Sequence, residues 1–354
     1  MAKVMKTTLI RQYRRLRVDK QLAHPCVRQY AFVGMGSHSM ANLYPVLGML
    51  RVPIKYVCVT SSRKAELVGR NAFMIPGEAI PTTSLDTMLE DPEVAGVLVS
   101  ASPAAHYGIV REVMQLGKSL FIEKPPCGTL CQLEELAGMQ NQMGSTVFVG
   151  MQKRFAPAVR RLKRCLKGEN VCNYMLRYCV GRYPEGDAVT ELFIHPVDLL
   201  TYLFGAAEVL SHKCVAGHTH VLMLKHGDVV GTVELSNGYS WATPVEKLIV
   251  HVETGVYALP SIDTLVYRRG GMNVAGIPME KVVHSCVSEK CLCCHDSFSP
   301  VLESSPWVEH GFYHELKAFV GIVEKSGDVR RVGECPTLHS LLPVYQLLEC
   351  LRSG

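Results

Sequence analysis

A short apolar run that ends in a glycine turn constrains this chain most. Tyr30-Ala31-Phe32-Val33 leads straight into Gly34-Met35-Gly36-Ser37-His38-Ser39. Four apolar residues closed by glycine read as a buried strand, and the apolar stretch Ala41 to Leu50 behind them reads as a helix. The alternation then repeats. Strand signals recur at Tyr56–Val59, Gly96–Val99, Ser119–Ile122 and Thr146–Val149. Helical signals fall between them at Ala65–Phe73, Ser84–Glu90, His106–Leu116 and Leu130–Asn141, with Asp91-Pro92 and Gly117 as stops. Strands this short and this uniformly apolar are buried on both faces. They predict a parallel sheet with helices on either side.

The turn itself is G-x-G-x-x-S. The first glycine permits the tight bend, the second lets backbone approach a pyrophosphate, and the third position needs a small residue for strand and helix to pack. Ser39 is small enough. The following helix would point its N-terminal amides at phosphate. Gly34 to Ser39 are therefore the expected dinucleotide cradle; the alternative is a glycine turn that binds nothing. After the second strand the sequence is Thr60-Ser61-Ser62-Arg63-Lys64, with no acid before Glu66. A carboxylate there would hold a ribose hydroxyl and repel a 2′-phosphate, whereas Ser61, Ser62, Arg63 and Lys64 could bind that phosphate. NADP is the expected cofactor over NAD, unless the two cations are only solvated residues at a helix start.

A chain of 354 residues has room for two domains. The texture changes near Gly150. Residues 157–166 are amphipathic and basic, and strand-like runs follow at Tyr174–Val180, His220–Leu224, Val229–Leu235, Leu248–Val252 and Thr264–Tyr267. Gly227-Asp228, Asn237-Gly238 and Gly270-Gly271 punctuate them as turns. Consecutive strands with few helices predict a mostly antiparallel sheet. Helices over Gly311–Lys325 and Leu338–Leu351 close the chain. The expected division is a basic extension over 1–28, a Rossmann domain over 29–150 and an α+β substrate and oligomerisation domain over 151–354, with the last helices packing back on the first domain.

A net charge of +5 is too small over this length to argue for nucleic acid. The basic residues concentrate between Arg11 and Arg28, where Leu9 to Leu22 has helical character. Such an arm could touch nucleic acid or membrane; the expectation is a solvated helix packed on the domain or a partner subunit. The N-terminus has no apolar core followed by a small-residue cleavage site, and no run of about 18 apolar residues occurs. A cytoplasmic location with no membrane partner is expected, and the 14 cysteines are expected to be reduced thiols. Cys291 and Cys294 have the spacing of a zinc half-site, with His295 beside them. No equally clear second pair lies nearby, so no metal is expected.

Four motifs in order carry a resemblance. Ser102-Pro103-Ala104-Ala105-His106 and Glu123-Lys124-Pro125-Pro126 each follow a strand; Arg154-Phe155-Ala156-Pro157 opens the second half; Glu191-Leu192-Phe193-Ile194-His195-Pro196-Val197-Asp198 lies in the middle. Over about residues 29 to 351 the chain resembles the Gfo/Idh/MocA family, the glucose–fructose oxidoreductases and inositol dehydrogenases. The resemblance implies a Rossmann domain followed by an open, mostly antiparallel sheet, a homodimer or homotetramer packed through that sheet, and hydride transfer on a sugar, inositol or related compound. It assigns Lys124 to the space between nicotinamide and substrate and His195 to acid–base work or substrate binding. Pro125 shapes the turn, with a cis bond before it. Glu191 stands where the family often has aspartate, Asp198 matches an acid that commonly follows, and Phe193 replaces a common glycine. Ser102, Pro103, His106, Glu123 and Arg154 fall on the cofactor side.

The residues support that chemistry independently. Imidazole, with an ordinary pKa of about 6.5, suits proton transfer near neutrality. A lysine beside a cationic ring would have a lowered pKa and could share that proton. Glu191, His195, Asp198 and Tyr202 recur at helical spacing, but Pro196 belongs in a first turn, so a helix begins near His195 with Glu191 on the loop before it. Lys153 and Arg154 could reach cofactor or an anionic substrate, or form a solvated turn. His106 starts a helix in either a binding or a structural role. Tyr183 and Asp187 occupy a Gly/Pro loop placed to line a substrate pocket. Besides the oxidoreductase, the sequence admits an NAD-dependent glycosidase of the same family and a non-catalytic ligand sensor.

Overall fold

The alternating first half builds one six-stranded, wholly parallel sheet. The computed structural model describes residues 2–22, 26–271, 273–283, 288–294, 304–325 and 335–353. Its strands are β1 (Gln29–Val33), β2 (Ile54–Cys58), β3 (Ile80–Thr82), β4 (Val94–Val99), β5 (Ser119–Glu123) and β6 (Val147–Gly150), in the order β3-β2-β1-β4-β5-β6. The helices of this part are α1 (Ala2–Leu22), α2 (Tyr44–Met49), α3 (Ser62–Arg70), α4 (Leu85–Leu89), α5 (Pro103–Gln115) and α6 (Leu130–Met143). Successive β1 side chains enter two different cores. Ala31 and Val33 pack with Val97, Leu120 and Ile122, whereas Tyr30 and Phe32 pack with Leu47, Phe121 and Phe148. That split is the burial on both faces which the apolar runs predict. The order reverses between β1 and β4, so the loops leaving these two strands part and open a crevice. β3 has no sequence signal: it is three residues long, contains Pro81 and lies at the sheet edge. The helix behind the glycine turn opens with one wide π turn, Ser39–Leu43, before α2.

The second sheet has eight strands. Its chain order is α7 (Pro157–Leu166), β7 (Val171–Gly181), α8 (Ala188–Glu191), α9 (Ile194–Phe204), β8 (Glu208–Val215), β9 (Thr219–His226), β10 (Val229–Tyr239), β11 (Val245–Val252), β12 (Gly255–Ser261) and β13 (Thr264–Arg269). A small hairpin, β14 (Asn273–Val274) and β15 (Ile277–Pro278), precedes β16 (Glu289–Cys293), and the chain closes with α10 (Pro306–Glu309), α11 (Phe312–Glu324) and α12 (Leu342–Ser353). The strand order is β16-β13-β12-β11-β7-β10-β9-β8, antiparallel except for the β7–β10 pair. The sheet is therefore mostly antiparallel, as expected. Inward residues such as Tyr174, Leu176, Leu222 and Leu224 pack against α7, α9 and α12, while Met175, Val221 and Met223 stand exposed on the other face. Phe319 and Ile322 of α11 pack with Phe121 and Phe148, so a helix from the end of the chain covers one side of the first sheet.

Several expectations need correction. Asn237-Gly238 is no hairpin turn: it lies inside β10 at a register shift, with the Gly238 amide donating to Ser236 Oγ at 3.1 Å. β8 and β12 are additional strands; β8 is a polar edge strand, so apolar periodicity misses it. Cys291 and Cys293 belong to β16, and His295 lies outside the described residues. Among the described residues no group of three or more His, Cys, Asp or Glu could hold a metal ion, and no disulfide forms. No described helix is long and apolar enough to cross a membrane. The basic arm does form a helix, α1, as expected, and every residue from Lys6 to Leu16 is exposed.

Candidate active site

The crevice between the ends of β1 and β4 is a cleft of about 490 Å³, lined by Gly34–His38 on one side and Ser100–Ser102 on the other. Gly34 has φ +107°, and a β-carbon there would meet Ser100 O at 2.1 Å, so the first glycine is fixed both by conformation and by the neighbouring strand. At Gly36 a β-carbon would have open space around it: the second glycine leaves backbone bare on the cleft. Ser39 does more than stay small. Fully buried, its hydroxyl accepts from Gly36 N at 2.9 Å and donates to Gly36 O at 3.0 Å, which ties the loop to the helix start. Glycine backbone, a helix start and an open cleft at a topological switch point fit a dinucleotide pyrophosphate. Met35, Ser37 and His38 line the same cleft.

At the far end of the cleft the expected phosphate binders separate. Ser61 caps α3, accepting from Lys64 N at 3.4 Å. Of Ser61, Ser62, Arg63 and Lys64, only Lys64 lines the cleft, beside Thr60. On the β4 side Ser102 lines it, while Pro103 begins α5. His106 is a buried strut. Its Nδ1 lies 2.8 Å from Pro125 O, and its Nε2 lies 3.1 Å from Ala101 O and 3.3 Å from Ala101 N. Burial lowers its pKa, and the backbone contacts to Pro125 and Ala101 oppose that shift. The ring thus ties the loop after β4 to the turn after β5.

That second turn carries the lysine. Glu123 ends β5, buried, with one carboxylate oxygen accepting from Lys124 N at 3.2 Å. His38 Nε2 lies 3.2 Å from Glu123 Oε1, so the cleft and the lysine turn are in contact. The Lys124–Pro125 peptide is cis. Lys124 Nζ donates to the backbone carbonyl of Glu191 at 2.9 Å. Burial lowers its pKa, with Lys153 adding to the effect and Glu123 and Glu191 opposing it. His195, in the first turn of α9, is buried and held well below the usual imidazole pKa, first by burial and then by the charges of Lys124, Lys153 and His38. The structure therefore brings Lys124, His195, Lys153 and His38 into one electrostatic neighbourhood.

The acids take other places. Glu191 closes α8 and turns its carboxylate to the loop before it, accepting from Tyr183 Oη at 2.8 Å and from Asp187 N at 3.1 Å. It meets Lys124 through its carbonyl, not its carboxylate. Burial first, and then the hydrogen bond to the Glu191 carboxylate, push the Tyr183 hydroxyl up to about 12. Asp187 caps α8 and pairs with Arg352 of α12, so its carboxylate holds the loop rather than standing open to substrate. Asp198 is almost fully buried and grips Arg154 through both oxygens, with Nε at 3.0 and 2.9 Å and Nη2 also in contact. This occupies both the acid assigned to catalysis and the arginine assigned to cofactor. Lys153 pairs with Glu246 of β11 and lies over the Tyr178 ring. Phe193 does not narrow a pocket; it is core, edge-on to Tyr178 and His220.

Sequence reasoning missed Glu315. It lies on α11 with no exposed surface, and its carboxylate finds no side-chain hydrogen-bond partner, only the Met151 backbone, which opposes the effect of burial. Burial raises its pKa far above the carboxylate range, and the nearby charges of Glu123 and Asp198 push the same way. A lone acid in an apolar helical face, Phe312-Tyr-His-Glu-Leu, carries no local signal of this.

A profile of the GFO_IDH_MocA oxidoreductase family, with an NAD-binding Rossmann fold, matches residues 28–151. Over those residues the chain is similar to the Gfo/Idh/MocA family. An inositol 2-dehydrogenase of Acidothermus cellulolyticus is 28% identical over 206 residues, 52% of this chain and 60% of that protein. The chain's matches span between 50% and 60% of the length of the first curated relatives. The fold is shared further. A levoglucosan dehydrogenase solved with NADH and levoglucosan superposes with TM-score 0.75 at 13% identity, over 92% of this chain and 96% of that one. KijD10, a 3-ketoreductase from Actinomadura kijaniata solved with NADP and TDP-benzene, gives TM-score 0.69 at 15% identity over 94% and 98%. At such identities the likeness is one of fold.

Proposed function

We propose that this protein is an NAD(P)-dependent oxidoreductase of the Gfo/Idh/MocA family, acting on a hydroxyl or carbonyl carbon of a sugar, polyol or related compound. Residues 29–150 hold the dinucleotide and residues 151–354 supply the substrate side. The observation that carries this reading is that the lysine turn meets the glycine cleft, with His38 Nε2 3.2 Å from Glu123 Oε1, while the neighbouring Lys124 Nζ reaches the Glu191 carbonyl at 2.9 Å, just before the helix that His195 opens. Nicotinamide, when bound, supplies or accepts the hydride. The rest belongs to side chains. Lys124 Nζ, tethered by the Glu191 carbonyl, donates to the reacting oxygen, and His195, neutral at working pH, takes the hydroxyl proton during oxidation.

The test is turnover of sugars, inositols and related polyols followed at the nicotinamide absorbance. Lys124→Ala is expected to lose about 10²- to 10⁴-fold in kcat with the fold intact. An unchanged rate would overturn the assignment. Because His195 is held well below 6.5, oxidation is expected to stay flat through the neutral range and fall only in more acid solution.

We assign NADP as the preferred cofactor, on Lys64 at the cleft and the lack of an acid beside it. Lys64→Ala is expected to weaken NADPH about tenfold while sparing NADH, since a single charge-assisted contact to phosphate is worth ~1.5–3 kcal/mol. Tighter NADH than NADPH binding in the unaltered protein would reverse the preference. We further assign a cytoplasmic location and a homo-oligomer built on the open sheet face.

A further inference from the structure

Helix α1 has a surface that the proposed chemistry does not use. Leu9, Ile10, Tyr13 and Leu16 are 58%, 54%, 61% and 67% exposed. Leu9, Tyr13 and Leu16 are spaced i, i+4, i+7 and share one face, whereas Arg11, Arg14 and Arg15 fall on the opposite side. The sequence of α1 holds seven Lys and Arg against one acid, Asp19, while the whole chain has a net charge of +5. The helix thus carries more than the entire positive excess, and the remainder is slightly acidic. The body begins just after it: the amides of Val27 and Arg28 and the hydroxyl of Tyr30 all donate to Glu324 at the end of α11. Whatever α1 binds is therefore linked to the first strand of the dinucleotide sheet.

We propose that α1 docks this protein on an anionic membrane surface. The helix lies flat in the headgroup layer, with Leu9, Tyr13 and Leu16 toward the acyl chains and the arginines among the anionic headgroups. The expectation of no membrane partner rests on the want of a spanning segment, which does not bear on a helix lying in the interface. Charge selects this occupant. Nucleic acid would engage the arginines but leave the apolar stripe in water. A second copy would pair the stripes only by bringing two strongly positive helices together. An anionic bilayer satisfies both faces at once.

The test uses the full chain and sedimentation with vesicles of phosphatidylcholine, with or without phosphatidylserine. Binding is expected to be at least tenfold tighter to the phosphatidylserine vesicles and to weaken with salt. Leu9→Ser with Leu16→Ser, and separately Arg11→Glu with Arg15→Glu, are each expected to lose that gain while leaving turnover in solution unchanged. Equal or no binding to the two vesicles overturns the proposal. So does binding to duplex DNA that survives the serine pair, or a lipid-free oligomer that the serine pair dissolves. None of these outcomes depends on the roles of Lys124 and His195.

Discussion

Glu315 and His195 are both buried, and burial acts on them with opposite sign. The acid is driven to its neutral, protonated form and the imidazole to its neutral, deprotonated form. Native Glu315 keeps a proton that the unfolded chain releases above 4.5, so its contribution to stability is complete below that pH and is lost as pH rises toward its folded value. Glu315→Gln cannot ionise. The variant is expected to gain melting temperature relative to the parent between about pH 5 and about pH 8, read by thermal unfolding. A difference that does not change with pH would show that Glu315 is ionised in the native state. For His195 the order is reversed: the unfolded ring binds protons below 6.5 while the native ring refuses them, so stability falls as the solution becomes more acid.

Among elements, α11 shows how a helix of the second half is fixed to the lysine region. It starts at Gly311, whose φ of +99° is a left-handed conformation, and a β-carbon there would meet Gln152 O at 2.0 Å and Ala156 N at 2.8 Å. The close approach lets Phe312 stand against the His38 ring at 5.8 Å and brings Glu315 in beneath Glu123. Gly311→Ala is expected to cost at least about 1–3 kcal/mol in urea unfolding from the backbone conformation alone, and more from the clash. A neutral substitution would mean the helix can start elsewhere. The break between α8 and α9 matters equally. It was legible from Pro196, which is comfortable only in a first turn, and it sets the Glu191 carbonyl on Lys124 while His195 opens the next helix.

For the whole molecule, the open face of the eight-stranded sheet is the proposed contact between copies. Met175, Val221 and Met223 are 43%, 48% and 41% exposed on β7 and β9, the two strands that flank β10. Single exposed apolar residues are ordinary; here three gather on one sheet face around Thr232 and Glu234 of the intervening strand, and the assignment of a contact between copies rests on that grouping. Val221→Lys with Met223→Lys is expected to shift light-scattering mass to that of one chain. An unchanged mass, or a parent that is already a monomer, would remove this assignment.

The sequence alone determined the parallel sheet, the glycine cradle and the position of Lys124, because each depends on residues close together in the chain. A buried strand, a tight turn and a helix start are local, and a period of apolar residues or a single glycine announces them. Tertiary structure decided which charged groups are free. Arg154 and Asp198 stand 44 positions apart and pair with each other; Lys124 reaches a carbonyl 67 positions away; Asp187 is held by Arg352 from the last helix. The pairing of a charge, and whether it keeps water, is set by packing between distant segments, and no local pattern encodes it.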